Sequence, residues 1–348
     1  MSQEPTIRSR VLRAIGFRNA SAIWVLVVIV VVFSITIPET FLAARTWTSL
    51  LDTQVVVAIT ALALVIPLAA GSFNLAVGAQ VGVSSMMVGW MLVSIGLPVV
   101  PAIGLTLAAS ALIGLLMGLV IVRFHIDSFI ASLGFSSLLA ALVTFMSGGR
   151  QILGMPSELV DFGTARVVIF TYPFLILIAL ALVCWHVLER TPLGRRIYAT
   201  GGNLEAARLA GIRTNRIIVG TLVACGLLSG VAGVLVTARL GNSDPTIGPA
   251  YLIPAFTAAF LGSTQFKGGR FNIWGTLLSV YVLAAGVKGL QLSGAPTWIP
   301  DAFNGIALLV AVGLASSARL GGRPSLFERL RHRRVTAQPL EPLQQKDA

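Results

Sequence analysis

The chain has 348 residues, of which 56% are hydrophobic and 11% charged, and its formal net charge is +12. A soluble domain carries about a quarter charged residues, so this composition excludes an ordinary water-soluble fold and points to a membrane protein. The basic surplus then belongs to loops facing anionic lipid rather than to nucleic-acid binding, and two cysteines inside apolar runs give neither a disulfide framework nor a metal site.

A helix crosses the ~30 Å hydrocarbon core in roughly 20 residues. Spans are predicted near 20–37, 50–70, 76–96, 101–122, 128–147, 167–188, 216–238, 251–263, 271–290 and 301–318, with the eighth too short to cross unaided. The runs lack the alternation of barrel strands, and backbone groups in lipid must be bonded within their own segment, so these are helices. The predicted fold is all-α: a polytopic transmembrane helical bundle of about ten membrane segments. It divides into a basic N-terminus, 1–19, one transmembrane domain, 20–318, and a basic then polar tail, 319–348. The first run, AIWVLVVIVVVFSITI, is followed by IPETF rather than a small-residue cleavage site, so it reads as an uncleaved helix and not a signal peptide.

Basic residues are retained on the cytoplasmic side. With the N-terminus inside, only Arg45, Arg150, Arg166, Arg239 and Lys288 of the 25 lysines and arginines fall outside, so both termini are predicted to be cytoplasmic.

Catalytic equipment is missing. The chain holds no GxxxxGK[ST] phosphate loop, no HExxH and no GxSxG, and His125, His186 and His332 lie far apart. No catalytic residue, metal site or cofactor is expected. Asp52, Lys288 and Asp301 fall near span ends, so no buried charge marks an ion relay. This weighs against an ion-coupled secondary carrier; a passive channel would have no use for a docked cytoplasmic helix.

The loop 189–216, ERTPLGRRIYATGGNLEAARLAGIRTNR, is the longest and most basic internal one. In it Gly201 and Gly202 permit a sharp turn, Asn203 is a good N-cap, Glu205 suits the first turn, and Gly211 supplies a stop. A helix of about two turns is marginal alone. It docks either on its own bundle or in a groove of a separate cytoplasmic subunit.

The run TPLGRRIYATGGNLEAARLAGI resembles the cytoplasmic loop of the ribose-type (monosaccharide) permeases of bacterial ABC importers, T-x-x-G-R-x-x-Y-A-x-G-G-N-x-x-A-A-x-x-x-G-I. GSFNLAVG (71–78), FIASLGFSSLLAALVTFMSGG (129–149) and AAFLGSTQFKGGRFNIWGT (258–276) resemble further motifs of that family, in order along the chain. The resemblance implies a permease domain in the bacterial inner membrane, no enzyme itself, importing a simple sugar by alternating access. It implies as partners two copies of a cytoplasmic ATP-binding subunit, a periplasmic or lipid-anchored solute-binding protein, and a second permease subunit in a homo- or heterodimer. A nucleoside or branched-chain amino acid is the alternative cargo. Carried over residue by residue, Gly202, Asn203, Glu205, Ala206, Ala207 and Gly211 would form the contact of a coupling helix with the ATPase.

Glycine-interrupted helices at matching places in two halves point to a transport pathway. The candidates are GSFNLAVG and GNSDPTIGPAYLIPAF (241–256), suggesting an internal repeat of spans 2–5 and 7–10. Asn74, Gln80 and Tyr251 offer hydrogen bonds, Phe73, Trp90 and Trp274 offer flat apolar faces, and Pro254 interrupts the short span. The chain departs from the family where Asn74 replaces an aspartate, and where Leu252 and Pro254 stand in a Tyr-Glu-Leu-Asp motif, so the pathway is expected to be more neutral than usual.

Overall fold

The protein, in a computed structural model, is described over residues 21–167, 170–265 and 269–320. The predicted basic N-terminus, nearly all of the polar tail, Lys267 and His332 lie outside the described residues. The helices are α1 (Ser21–Thr36), α2 (Pro38–Phe41), α3 (Ala44–Thr53), α4 (Val55–Ala69), α5 (Val77–Gly89, prolonged by the π-helical turn Trp90–Ser94), α6 (Val99–Phe124), α7 (Ser128–Ser147) and α8 (Ser157–Thr164). Then follow α9 (Tyr172–Trp185, prolonged by a π-helical turn His186–Arg190), α10 (Pro192–Gly202), α11 (Leu204–Leu209), α12 (Thr214–Leu240), a 3-10 turn Gly248–Tyr251, α13 (Leu252–Ser263), α14 (Ile273–Leu292) and α15 (Ile299–Leu320).

Among the described residues six helical segments are long and apolar enough to cross a membrane: 77–94, 99–124, 128–147, 172–190, 214–240 and 273–292. The predicted span 50–70 is not one helix. It is α3 and α4, bent by 43° at Gln54, and the pair would make a seventh crossing. The other predicted spans are helical but have shorter apolar stretches, 26–36 and 299–313, or in α13 only 12 residues. The chain is also not wholly α: β1 (Arg166–Val167) and β2 (Phe170–Thr171) form a small antiparallel hairpin. Asp52, next to the bend, is buried, and its carboxylate accepts Thr171 Oγ1 at 2.9 Å and Arg166 Nη2 at 3.4 Å, which pins the hairpin to the bend. A buried carboxylate needs such partners, because an unpaired charge in a low-dielectric setting is costly.

α4 is apolar on every side, as a helix enclosed by others must be. All its residues except Val57 are buried, and α9, α12, α13 and α14 pack around it. The most extensive helix pair, α6 against α12, is built from small residues. A Cβ on Gly226 would strike the Ser110 carbonyl oxygen, one on Gly114 the Leu222 carbonyl oxygen, and one on Gly230 would lie 2.8 Å from Ser110 Cβ. Such approach matters in lipid, where packing and short hydrogen bonds hold helices together because the solvent is itself apolar. Ser84 and Ser110 share a 2.7 Å hydrogen bond, and Ser85 and Thr237 one of 2.8 Å, tying α5 to both neighbours.

Replacing Gly226 by Val forces the α6–α12 backbones apart and is expected to cost about 1–3 kcal/mol. Gly104→Ala, where a Cβ meets nothing within 4 Å, is the neutral control. Thermal unfolding of the two purified variants in detergent checks the difference.

Candidate functional site

The loop after α9 folds as two helices and not one. Thr191 caps α10, accepting the Gly194 N–H at 3.4 Å, with Pro192 at the first helical position, where its missing N–H is harmless. The turn expected at Gly201–Gly202 is not formed there. Both glycines lie inside the last turn of α10, and the break falls at Asn203, whose backbone is extended. Asn203 serves both helices, its N–H reaching Ala199 O at 3.2 Å and its Oδ1 accepting the Ala206 N–H at 3.0 Å. α11 ends in a Schellman motif: Gly211 has φ +79°, its N–H bonds to Arg208 O at 2.9 Å, and the Ile212 N–H bonds to Ala207 O at 3.0 Å.

Arg208 fixes α11 from below, donating to Thr214 Oγ1 (3.0 Å), Asn215 Oδ1 (3.3 Å) and Glu205 Oε1 (3.4 Å). Ala207 is buried against its own chain, so its methyl is not on the outward face. Leu204, Glu205 and Ala206 are exposed, and Leu209 is 90% exposed on a six-residue helix. Among the described residues this leucine is an apolar side chain left almost wholly uncovered. Gly202 is exposed as well, with open space where a Cβ would stand.

Gly201 has a different role from the one its neighbour suggests. A Cβ there would strike Ala69 O and lie 2.9 Å from Gly71 N; a Cβ on Gly71 would lie 3.2 Å from Gly201 Cα. The loop thus touches the bundle backbone to backbone, at the first residue of GSFNLAVG. Gly71, at φ +80°, closes α4 with its own Schellman motif: Gly71 N–H to Leu68 O at 3.1 Å, Ser72 N–H to Pro67 O at 2.9 Å. A second tie runs from Tyr198, whose hydroxyl donates to Phe271 O at 2.7 Å beneath the Arg270 guanidinium, 4.2 Å from the ring centre. Burial pushes this phenol up to about 12, with Arg270 opposing, so it stays a donor at any working pH.

Three residues beyond Gly71, the Asn74 side chain is fully buried. Its Oδ1 accepts the Ala76 N–H (3.0 Å), and its Nδ2 donates to Gln80 Oε1 (3.1 Å) and Cys225 Sγ (3.2 Å). Gln80 Nε2 is buried without a hydrogen-bond partner among the described residues. The amide at position 74 supplies donors that a carboxylate lacks, so the exchange of aspartate for asparagine suits a neutral knot between α5 and α12.

The stretch 241–251 runs back along α5. Ser243 bridges Ile152 and donates from Oγ to Ser85 O at 2.7 Å, and further on Gly248 abuts Gly78 and Gly82. Asp244 accepts the Thr246 N–H and hydroxyl, both at 2.7 Å, and Gln151 Nε2 at 2.7 Å, which hold its carboxyl below the usual range. α13 therefore starts beside the N-terminal half of α5, as a half-helix inside the bundle. Phe73 lines a 470 Å³ cavity with Leu75, Phe129, Leu252, Phe256 and Phe260.

The structure gathers Phe73, Asn74, Gln80 and the turn holding Tyr251 around the α5 N-terminus. The other predicted pathway residues lie apart. Trp274 packs against Trp185 at 6.3 Å, beside Arg190; Trp90 stands in the π-helical turn at the far end of α5; Pro254 lines a separate 130 Å³ cavity with Gln54 and Asn304. Sequence reading missed Ser84, Ser85, Ser110, Thr237 and Ser243. The spacing of Ser110, Gly114 and Gly118, one turn apart, was the available signal.

A family model for the permease component of branched-chain amino acid transport systems matches residues 47–312. The chain belongs to this permease family. The permease is 33% identical over 289 residues to the ribose import permease protein of Bacillus subtilis, covering 82% of this chain and 89% of that one. It is 31% identical to the Escherichia coli K12 ribose import permease protein (82% and 90% covered) and 30% identical to an autoinducer 2 import system permease protein of Yersinia enterocolitica (80% and 86%). No solved structure matches. The resemblance read from the motifs is borne out: the chain is a multi-pass membrane permease and not an enzyme.

Asn74→Leu removes three hydrogen bonds and strands the buried Ala76 N–H and Gln80 carbonyl. It is expected to lower stability by about 1–3 kcal/mol. Cys225→Ser, which keeps an acceptor, is expected to be nearly neutral; chemical or thermal unfolding of both in detergent is the check.

Proposed function

We propose that the permease moves a ribose-like monosaccharide inward across the bacterial inner membrane, driven by two copies of a separate ATPase that grip α11. The similarity to ribose import permeases over four-fifths of the chain supports the cargo class. The observation that carries the mechanism is the bared Leu209 on a helix that is rigidly capped at both ends and joined to the bundle through Gly201. In this reading the chain has ten membrane segments with both termini cytoplasmic; α1 and α15 cross, α3 and α4 form one crossing, and α13 completes the eighth only together with the stretch 241–251 that leads into it. Two polar interruptions, 71–76 and 241–251, sit in corresponding halves, which supports the repeat of spans 2–5 and 7–10. A second permease copy or a close relative and a periplasmic solute-binding protein complete the importer.

The outward face of α11, Leu204, Glu205, Ala206 and Leu209, enters a cleft of the ATPase, with Gly202, Asn203 and Gly211 setting its entry and exit. Ala207 serves from within by seating α11 on α12. ATP binding favours one arrangement of the ATPase pair, and the docked helices carry the bundle between two states by differential affinity. The path passes Phe73 and the half-helix α13, where a broken helix is tolerated because it lines a cavity. Asn74, Gln80 and Tyr251 are its nearest hydrogen-bonding groups, whereas Trp90, Pro254 and Trp274 serve packing at a distance from it.

Leu209→Glu and Glu205→Arg are expected to abolish co-purification of the ATPase and to reduce sugar uptake at least about tenfold, a loss of roughly 1.4 kcal/mol or more in docking. Membrane insertion is expected to stay intact. Full uptake by both variants overturns the assignment of α11, and absence of any co-purified ATPase with the native chain overturns the whole reading.

A further inference from the structure

A groove of about 310 Å³ runs down the outside of the bundle between α9, α10 and α12. Leu180 and Val187 form one wall, Ala224 and Leu228 the other, Ile197 of α10 closes one end and Ile66 of α4 is the floor. The lining is mostly apolar, its one hydroxyl, Thr221, already donating to Ile218 O at 2.8 Å, and Arg216 is its charged residue. Arg216 is exposed, and its guanidinium makes no hydrogen bond or ion pair with the described residues. Arg195 and Arg196 of α10 and Arg213, three residues before Arg216, are exposed as well, and Glu205 pairs with Arg208. Lengthwise the groove follows α12 from Arg216 to Leu228, about 18 Å at 1.5 Å per residue. That is close to the half-thickness of a ~30 Å hydrocarbon core. Gly220 lies on its surface with open space where a side chain would point.

We propose that this groove holds one anionic phospholipid of the cytoplasmic leaflet, its acyl chain along α12 and its phosphate on Arg216. The depth fits one leaflet, the lining fits hydrocarbon, and the unpaired guanidinium at the headgroup level fits a phosphate, as basic pockets between membrane helices generally do. The lipid lies against Ile197 on the helix that also carries Gly201, so it braces α10 against the bundle. The choice of leaflet rests on the proposed orientation.

The test is native mass spectrometry of the full-length permease in detergent with added phosphatidylglycerol or phosphatidylcholine. The native chain is expected to retain phosphatidylglycerol about fivefold better, the scale of one basic contact near a headgroup. Arg216→Gln removes the preference while leaving some lipid bound, and Gly220→Leu, whose Cβ meets nothing within 4 Å and whose side chain extends into the groove, removes retention of both lipids. Equal retention of the two lipids by the native chain, or unchanged phosphatidylglycerol retention in Gly220→Leu, overturns the proposal. Separation of paired permease copies by Gly220→Leu, with lipid retention unaltered, assigns the groove to a chain–chain interface and overturns it too. The readout is lipid and not transport, so its failure leaves the importer reading untouched, and that reading fails instead on uptake and co-purification.

Discussion

The contact between Gly201 and the Ala69–Gly71 backbone is the constraint on which the arrangement depends. Two stretches that stand 130 residues apart in the chain meet without side chains between them. A contact of this kind has little compliance, because backbone atoms cannot rotate out of the way as a long side chain does, and close-packed interiors transmit displacement. In the proposed cycle α10 and the end of α4 are therefore expected to move together. Neither glycine is freely replaceable: Gly71 needs its left-handed φ to close α4, and Gly201 needs the missing Cβ.

From this joint the polar interruptions follow in order. Gly71 leads to Asn74, Asn74 fastens the start of α5 to Cys225 on α12, and one turn further Gly78 and Gly82 receive Gly248 at the entry to α13. Each step joins a helix end to a neighbour through a small residue or a satisfied amide. Three contacts, each short and polar or without side chains, thus separate α10 from the half-helix α13. Carboxylates are absent from the sequence of contacts; an amide knot transmits position without the desolvation cost that an ion pair carries in such surroundings.

Much of this was legible in the sequence. Long apolar runs reveal helices because lipid permits little else, and the caps at Asn203 and Gly211 were readable from residue type alone. What the sequence concealed were facts of three dimensions. The bend at Gln54 lies beside Asp52, whose partner Thr171 stands more than a hundred residues away. Gly201 looked like a turn residue because glycine is ambiguous: it marks either an unusual φ or a close approach, and only the neighbouring strand of backbone decides which. Ala207 looked like part of an outward face, since six residues are too few for a periodic pattern to show which side is covered. Trp90 and Trp274 share only their chemistry with Asn74: the length of α5 keeps Trp90 from it, and Trp274 packs on Trp185 instead.

The most direct test of the joint is Gly201→Ala, reconstituted with its ATPase and binding protein, with sugar transported and ATP hydrolysed counted in the same vesicles. One methyl there collides with Ala69 and leaves the exposed face of α11 unaltered. The account predicts that the ATPase still binds and still hydrolyses ATP, while sugar moved per ATP falls severalfold. A native ratio in Gly201→Ala would contradict it.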